Sequence, residues 1–206
     1  IRGDFPLYIM SGIFLFITHT KAMGAVLSAE GPASAMMKHA PMNTIVSITS
    51  AAIASLYIQV LSMCFVLYLY HVIFGPITIV DPIGAMGTVL LAWFSGVAIG
   101  MIFLSIKPWF PGFVAIASSI YARANMIASG KMFVRTRCQV SYCRSLIGTR
   151  CFMPLIKRAG TFFINYNPHF TSISYPIKVS IILIMDGLML EFYTRKNESI
   201  SWEAAR

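Results

Sequence analysis

The sequence predicts an all-α, polytopic integral membrane protein. Three features point there: five long apolar runs, a scarcity of charge, and polar or proline-bearing breaks between the runs. Of the 206 residues, 57% are hydrophobic, against roughly 45–50% in a soluble domain. Only 11% are charged, and mean hydropathy is +0.74. A soluble protein with so large an apolar core would need more polar surface than this chain carries. The strands of an outer-membrane barrel alternate at period two over about 10 residues. These runs are continuous, so helices fit them and strands do not.

The elements follow in order along one domain, residues 1–206. A spanning helix needs about 20 mostly apolar residues. The first run, Phe5–Thr20, is short, but Ala22–Leu27 extends it past Lys21, whose long stem can snorkel. Ile45–Phe74 is long enough to tilt or to begin below the membrane. Ile79–Ile106, Phe110–Phe133 and Ile173–Tyr193 complete the set, which makes about five spans. Between the first two lies a polar connector, 21–44, with Glu30, Gly31, Pro32, Lys38, His39 and Pro41. Gly75-Pro76 and Asp81-Pro82 break the chain after the second run. Lys107-Pro108-Trp109-Phe110-Pro111 makes a tight link suited to the membrane–water interface, where Trp is enriched. The chain closes on a polar tail, 194–206, with Arg195 and Lys196 directly after the last run.

A net charge of +9 would suggest nucleic acid in a soluble protein. Here the basic residues sit at run ends and in one segment, which fits membrane topology and no nucleic-acid partner. Placing the 21–44 connector in the cytoplasm and alternating puts Lys21, Lys38, Lys107, Arg195, Lys196 and Arg206 inside. Arg2, Arg123, Lys131, Arg135, Arg137, Arg144, Arg150, Lys157 and Arg158 then lie outside, against the positive-inside rule. Without the six that fall between Arg135 and Arg158 the orientation becomes normal. Cys138, Cys143 and Cys151 match no zinc or redox spacing, and His19, His39, His71 and His169 are scattered, so no metal is expected on this chain. The opening Ile1 has no charged leader and cleavage site after it, so the chain reads as a fragment without its natural N-terminus rather than as one with a signal peptide.

The segment 134–172 is expected to be extracytoplasmic or re-entrant, and its first part is out of character. Arg135–Gly160 has six basic residues, no acidic one, and neither helix nor strand periodicity. Two readings stand. One is a basic loop that binds anionic sugar or lipid headgroups. The other is translation out of frame: permitted codons for Ser145–Gly160, read one base earlier, spell F-D-W-N-P-L-F-H-A-I-D-Q-A-R-G, and those for Arg135–Val140 spell N-T-L-P-G. The shifted string replaces a basic jumble with two acids, an Asn-Pro helix start and an amphipathic run. A coding sequence with stops or another peptide in the shifted frame would end the second reading.

Taken together, these features resemble the ABC-2 type permeases that export capsular polysaccharide, lipopolysaccharide O-antigen or teichoic-acid-like polymers. Phe5-Pro6-Leu7-Tyr8-Ile9-Met10-Ser11-Gly12-Ile13 looks like that family's second membrane helix. Ser28–Val46, ending in Asn43-Thr44-Ile45-Val46, looks like its cytoplasmic segment before the third. Phe110-Pro111-Gly112 resembles the start of the fifth, and the shifted Trp-Asn-Pro-Leu-Phe-His string resembles the hairpin before the last, with Asn167-Pro168 a weaker echo. The resemblance rests on order and spacing. It implies that the amphipathic N-terminal helix and first span are missing and that the intact subunit has six spans. It also implies a location in the bacterial inner membrane and a homodimer of permeases joined to two separate ATPase subunits.

The chain has no G-x-x-x-x-G-K-[ST] loop, so ATP and Mg belong to the partner ATPase and this chain is not expected to be an enzyme. The resemblance makes the 21–44 connector the docking element, with Glu30, Lys38 and His39 as ATPase-coupling candidates; each alone also fits simple solvation of a loop. A lipid-linked or free polysaccharide needs a route with aromatic faces, for which Trp93, Trp109, Phe110 and Tyr121 are candidates; each alone also fits an interface anchor or helix packing. Gly96 and Gly100 form a G-x-x-x-G pattern suited to close helix packing. Asp186 is an acid deep in the last run, costly there and so a functional candidate. Lys178 is too far along the helix to pair with it, about 12 Å at 1.5 Å per residue. Arg123 and Lys131 are expected in re-entrant structure. A membrane enzyme of glycolipid synthesis would need acids or histidines clustered at one membrane face, and Asp81, Asp186 and Glu191 fall at different depths. That class, and a non-transporting scaffold, remain the alternatives.

Overall fold

The computed structural model describes residues 5–29, 44–74, 82–128 and 174–203. Among them every element is an α-helix: α1 (Phe5–Ser28), α2 (Thr44–Phe74), α3 (Pro82–Ile106), α4 (Pro111–Ala128) and α5 (Ser174–Glu203). The five runs of the sequence all appear. Lys21 sits exposed inside a continuous α1, as snorkelling requires. α5 continues past Tyr193 into the polar tail expected over 194–206, as far as Glu203. Pro82 and Pro111 each occupy a helix start, where the missing N–H costs nothing. Arg123, expected in re-entrant structure, lies exposed on the unbroken α4.

Three of the five helices are long and apolar enough to cross a membrane: α1 over Met10–Ser28, α2 over Thr44–Ile73 and α3 over Pro82–Ile106. The other two are interrupted by polar side chains, α4 by Ser118, Ser119, Arg123 and Asn125, α5 by Lys178, Asp186 and Glu191.

The helix α3 is the hub, packing along both α1 and α5, while α2 rests on α1 and α4 touches α3. The contacts form a ladder that fixes direction. Leu15 clusters with Val89 and Ala92. His19 meets Ala92 and Ser95. Gly100 faces Met23 and Val26, and the Lys107 ammonium donates to the Leu27 carbonyl at 3.0 Å. Both numbers rise together, so α1 and α3 run parallel. Gly187 against Met101 and Thr194 against Ser105 set α5 parallel to them as well. Ile48 and Ala52 belong with Leu104, whereas Met63 belongs with Leu15, so α2 runs the other way. A turn over 107–110, with Trp109 and Phe110 amides donating to the Ile106 carbonyl, reverses the chain into α4. We call the end with Ser28, Thr44 and Ile106 the lower end.

The sequence allows α1 and α3 to touch backbone to backbone. A Cβ on Gly96 would collide with the His19 carbonyl oxygen, and one on Gly100 would lie 2.9 Å from both the Met23 carbonyl oxygen and the Val26 Cβ. The G-x-x-x-G pattern therefore works within the chain, as a groove on α3 that receives α1. Below it the core closes around Ala22, Val26, Ile48, Ala52, Val97, Met101 and Leu104. Lys107, capping the last turn of α1, adds a cation where that helix carries partial negative charge.

Candidate functional site

Between these apolar helices runs a seam of buried polar side chains, and its centre is His19. This residue is 2% exposed. Its Nδ1 lies 3.0 Å from Ser95 Oγ and 3.3 Å from the Ala92 carbonyl oxygen. Ser95 spends its own proton on that same carbonyl, at 2.8 Å. Both partners thus offer lone pairs to Nδ1, so the ring proton sits there. The other nitrogen, Nε2, is left as an acceptor, and the Tyr121 hydroxyl donates to it at 3.1 Å. The Tyr121 ring meets Phe103 edge-on with centroids 6.1 Å apart. One imidazole therefore ties α4 to both α1 and α3. Tyr121 reaches it because Val114, Ser118, Tyr121 and Asn125 recur at helical spacing along the inward face of α4.

A second node joins α3 to α5 near the lower end. Ser105 Oγ lies within donating distance of the carbonyls of Met101 (2.9 Å) and Gly187 (3.2 Å). Thr194 Oγ1 is similarly placed to donate to the carbonyls of Leu190 (2.9 Å) and Ser105 (3.2 Å). The Trp109 indole donates to Thr194 Oγ1 at 3.4 Å. Gly187, Glu191 and Thr194 share the stripe of α5 that faces α3, because three or four residues complete one helical turn. Glu191 is accordingly 7% exposed, and its Oε1 has no hydrogen-bond partner. Asn125, 2% exposed, has none at either amide atom, and Ser180 Oγ has none either. A buried polar group without a partner is costly, so among the described residues these three are the chemically unfinished points of the seam.

The acid singled out in the sequence sits differently. Asp186 is one residue off that stripe and is exposed, among the outward-facing Ile182, Met185 and Met189. Glu191, read in the sequence only as an acid beside the spans, is the one that turns inward. Its spacing from Gly187 and Thr194 is the signal that could have found it. His19 had no such signal, since its partners lie on two other helices.

Three of the four aromatic candidates are each tied to a different partner. The Trp93 indole donates to the Ala52 carbonyl at 2.9 Å, bridging α3 to α2. Tyr121 serves His19. Trp109 and Phe110 lie on the lower turn, 52% and 64% exposed. Glu30, Lys38 and His39 fall outside the described residues, as do Lys131, Asn167-Pro168 and all of Arg135–Gly160. Among the described residues no three His, Cys, Asp or Glu side chains converge to hold a metal ion. What the described polar side chains make is hydrogen bonds between helices. No protein-family model matches the chain, and no curated protein matches it.

Proposed function

We propose that this chain is the membrane-spanning subunit of an ATP-driven exporter of cell-surface polysaccharide in a bacterial inner membrane. The observation that carries the reading is where the family-like motifs fall. Phe5–Ile13 lies in α1, Thr44-Ile45-Val46 opens α2, and Phe110-Pro111-Gly112 spans the start of α4. A run that resembles a membrane helix of the ABC-2 permeases thus lies in a helix here, a segment that resembles the one before their third helix leads to α2, and a motif that resembles a helix entrance lies at one. The alternating helix directions support five passes, with α4 and α5 made tolerable in the bilayer by turning polar groups toward α3. On this reading the lower end is cytoplasmic, a separate ATPase subunit docks on the 21–44 connector through Glu30, Lys38 and His39, and a second copy completes the polymer route. The outward Trp109 and Phe110 and the exposed Asp186 would then meet that second copy or the polymer.

The test is to purify the full chain from bacterial membranes, together with the proteins encoded beside it. ATP hydrolysis that copurifies with a dimer of this chain, and that falls when Lys38 and His39 are both changed to Ala, supports the reading. A monomer without ATPase activity overturns it.

A further inference from the structure

We propose that the upper gap between α1, α2 and α3 is a binding site for part of one acyl chain of a bilayer phospholipid. The gap arises from how α2 packs. Its buried residues, Thr44, Ile48, Ala52 and Ser55, all lie near its lower end, and from Leu56 to Ile73 none is buried. α1 and α3 stay in contact above that level, at Leu15, Val89 and Ala92. α2 therefore leans away and leaves a cavity of about 170 Å³.

The walls choose the occupant. Phe14, Leu15, Met63, Leu67, Met86 and Val89 line the space. Its surface is almost wholly apolar, and the proton of Thr88 Oγ1 is already given to the Ala85 carbonyl at 2.7 Å. A sugar, a headgroup or an ordered water needs several polar partners, which so apolar a wall does not offer, and apolar cavities of this kind stay dry but accept hydrocarbon. A space of roughly 150 Å³ holds a benzene ring, so this one takes a short stretch of chain and not a whole lipid. Supply comes from alongside. Pro82 on the rim is exposed, and the outward face of α2, with Leu61, Phe65 and Tyr68, runs on from Met63 and Leu67. In an apolar spanning helix that face is the one bathed in lipid chains. The site depends only on the helices being in a bilayer, so it stands or falls separately from the export reading.

The experiment is photolabelling of the full chain in phosphatidylcholine vesicles whose lipid carries a diazirine midway along one acyl chain, with labelled residues mapped by mass spectrometry. Label at Met63, Leu67 and Met86 is expected to exceed that at Phe65 and Tyr68 severalfold. Ala85→Phe, which fills the space from α3, is expected to lower the first group severalfold and leave the second unchanged; Ser11→Leu, filling it from α1, provides the same test from the opposite wall. Equal labelling of both groups in the unchanged chain overturns the proposal, whether or not either variant inserts. Enriched labelling that survives both substitutions in inserted, helical protein also overturns it.

Discussion

The lower and upper parts of this bundle are made from the same helices but held by different means. Below, α1 meets α3 across Gly96 and Gly100, α2 closes over both at Ile48 and Ala52, and Ser105, Thr194 and Trp109 fasten α5. Above, α2 has turned outward, and among the described residues Leu15, Val89 and Ala92 form a small buried cluster. The share of the apolar stretch that is buried records this: 50% in α1 and 56% in α3, but 11% in α2. In a bilayer, lipid is as apolar as leucine, so burying apolar surface drives no association. What holds helices together is close approach and hydrogen bonding. The close approach at Gly96 and Gly100 and the hydroxyl bonds from Ser105 and Thr194 between α3 and α5 lie below, and there the bundle is tight.

The sharpest way to break the contrast is at the groove. Gly100→Leu drives a side chain into the Met23 carbonyl and Val26, and a cost of about 3 kcal/mol is expected. Thermal unfolding in detergent would show it, together with loss of a disulfide engineered between α1 and α3. An unchanged midpoint would mean that the groove is not what joins them. Next come two leucines that are each 1% exposed, Leu104 below and Leu15 above. Leu104→Ala should cost between about 2 and 3 kcal/mol, and Leu15→Ala less, because the neighbouring gap lets lipid fill the space that is made. Equal losses measured by the same unfolding assay would erase the difference between the halves.

A smaller effect tests the tie between α4 and the rest. Tyr121→Phe removes the hydroxyl that donates to His19 Nε2 and should cost about 1 kcal/mol, the usual scale for a hydrogen bond between spanning helices. Cross-linking of α4 to α1 should weaken in parallel. The smallest effect belongs to the outward face of α2: Ile58→Ala should change stability by less than about 0.5 kcal/mol. A larger loss would show that another surface covers Ile58, which is 60% exposed in the single chain.

Much of the fold was legible before any coordinates. Continuous apolar runs fixed the helices, and proline placed the starts of α3 and α4. The pattern was least informative where polar residues enter α4 and α5. Five spans were expected, and three helices satisfy length and apolarity, because the polarity of Ser118, Asn125, Lys178 and Glu191 counts against a span wherever those side chains point. The seam was legible only in part. Tyr121 was singled out, but as a ring for sugars and not as a donor to a histidine. Asp186 drew attention because it is an acid in an apolar run, yet helical phase turns it outward and turns Glu191 in.

Composition and run length determined that this chain is helical and suited to a bilayer, since they measure how much apolar surface each segment must hide from water. The G-x-x-x-G spacing determined that one face of α3 can be approached closely. Which helix would approach it is decided only by the tertiary structure, as are the meeting of His19, Ser95 and Tyr121 and the outward lean of α2. Those outcomes depend on contacts between residues that are distant in sequence, such as the hydrogen bond across 102 positions from Tyr121 to His19. A helical run that is apolar on every side has no phase of its own. Neighbouring helices, through small residues and hydroxyls, decide which way it faces.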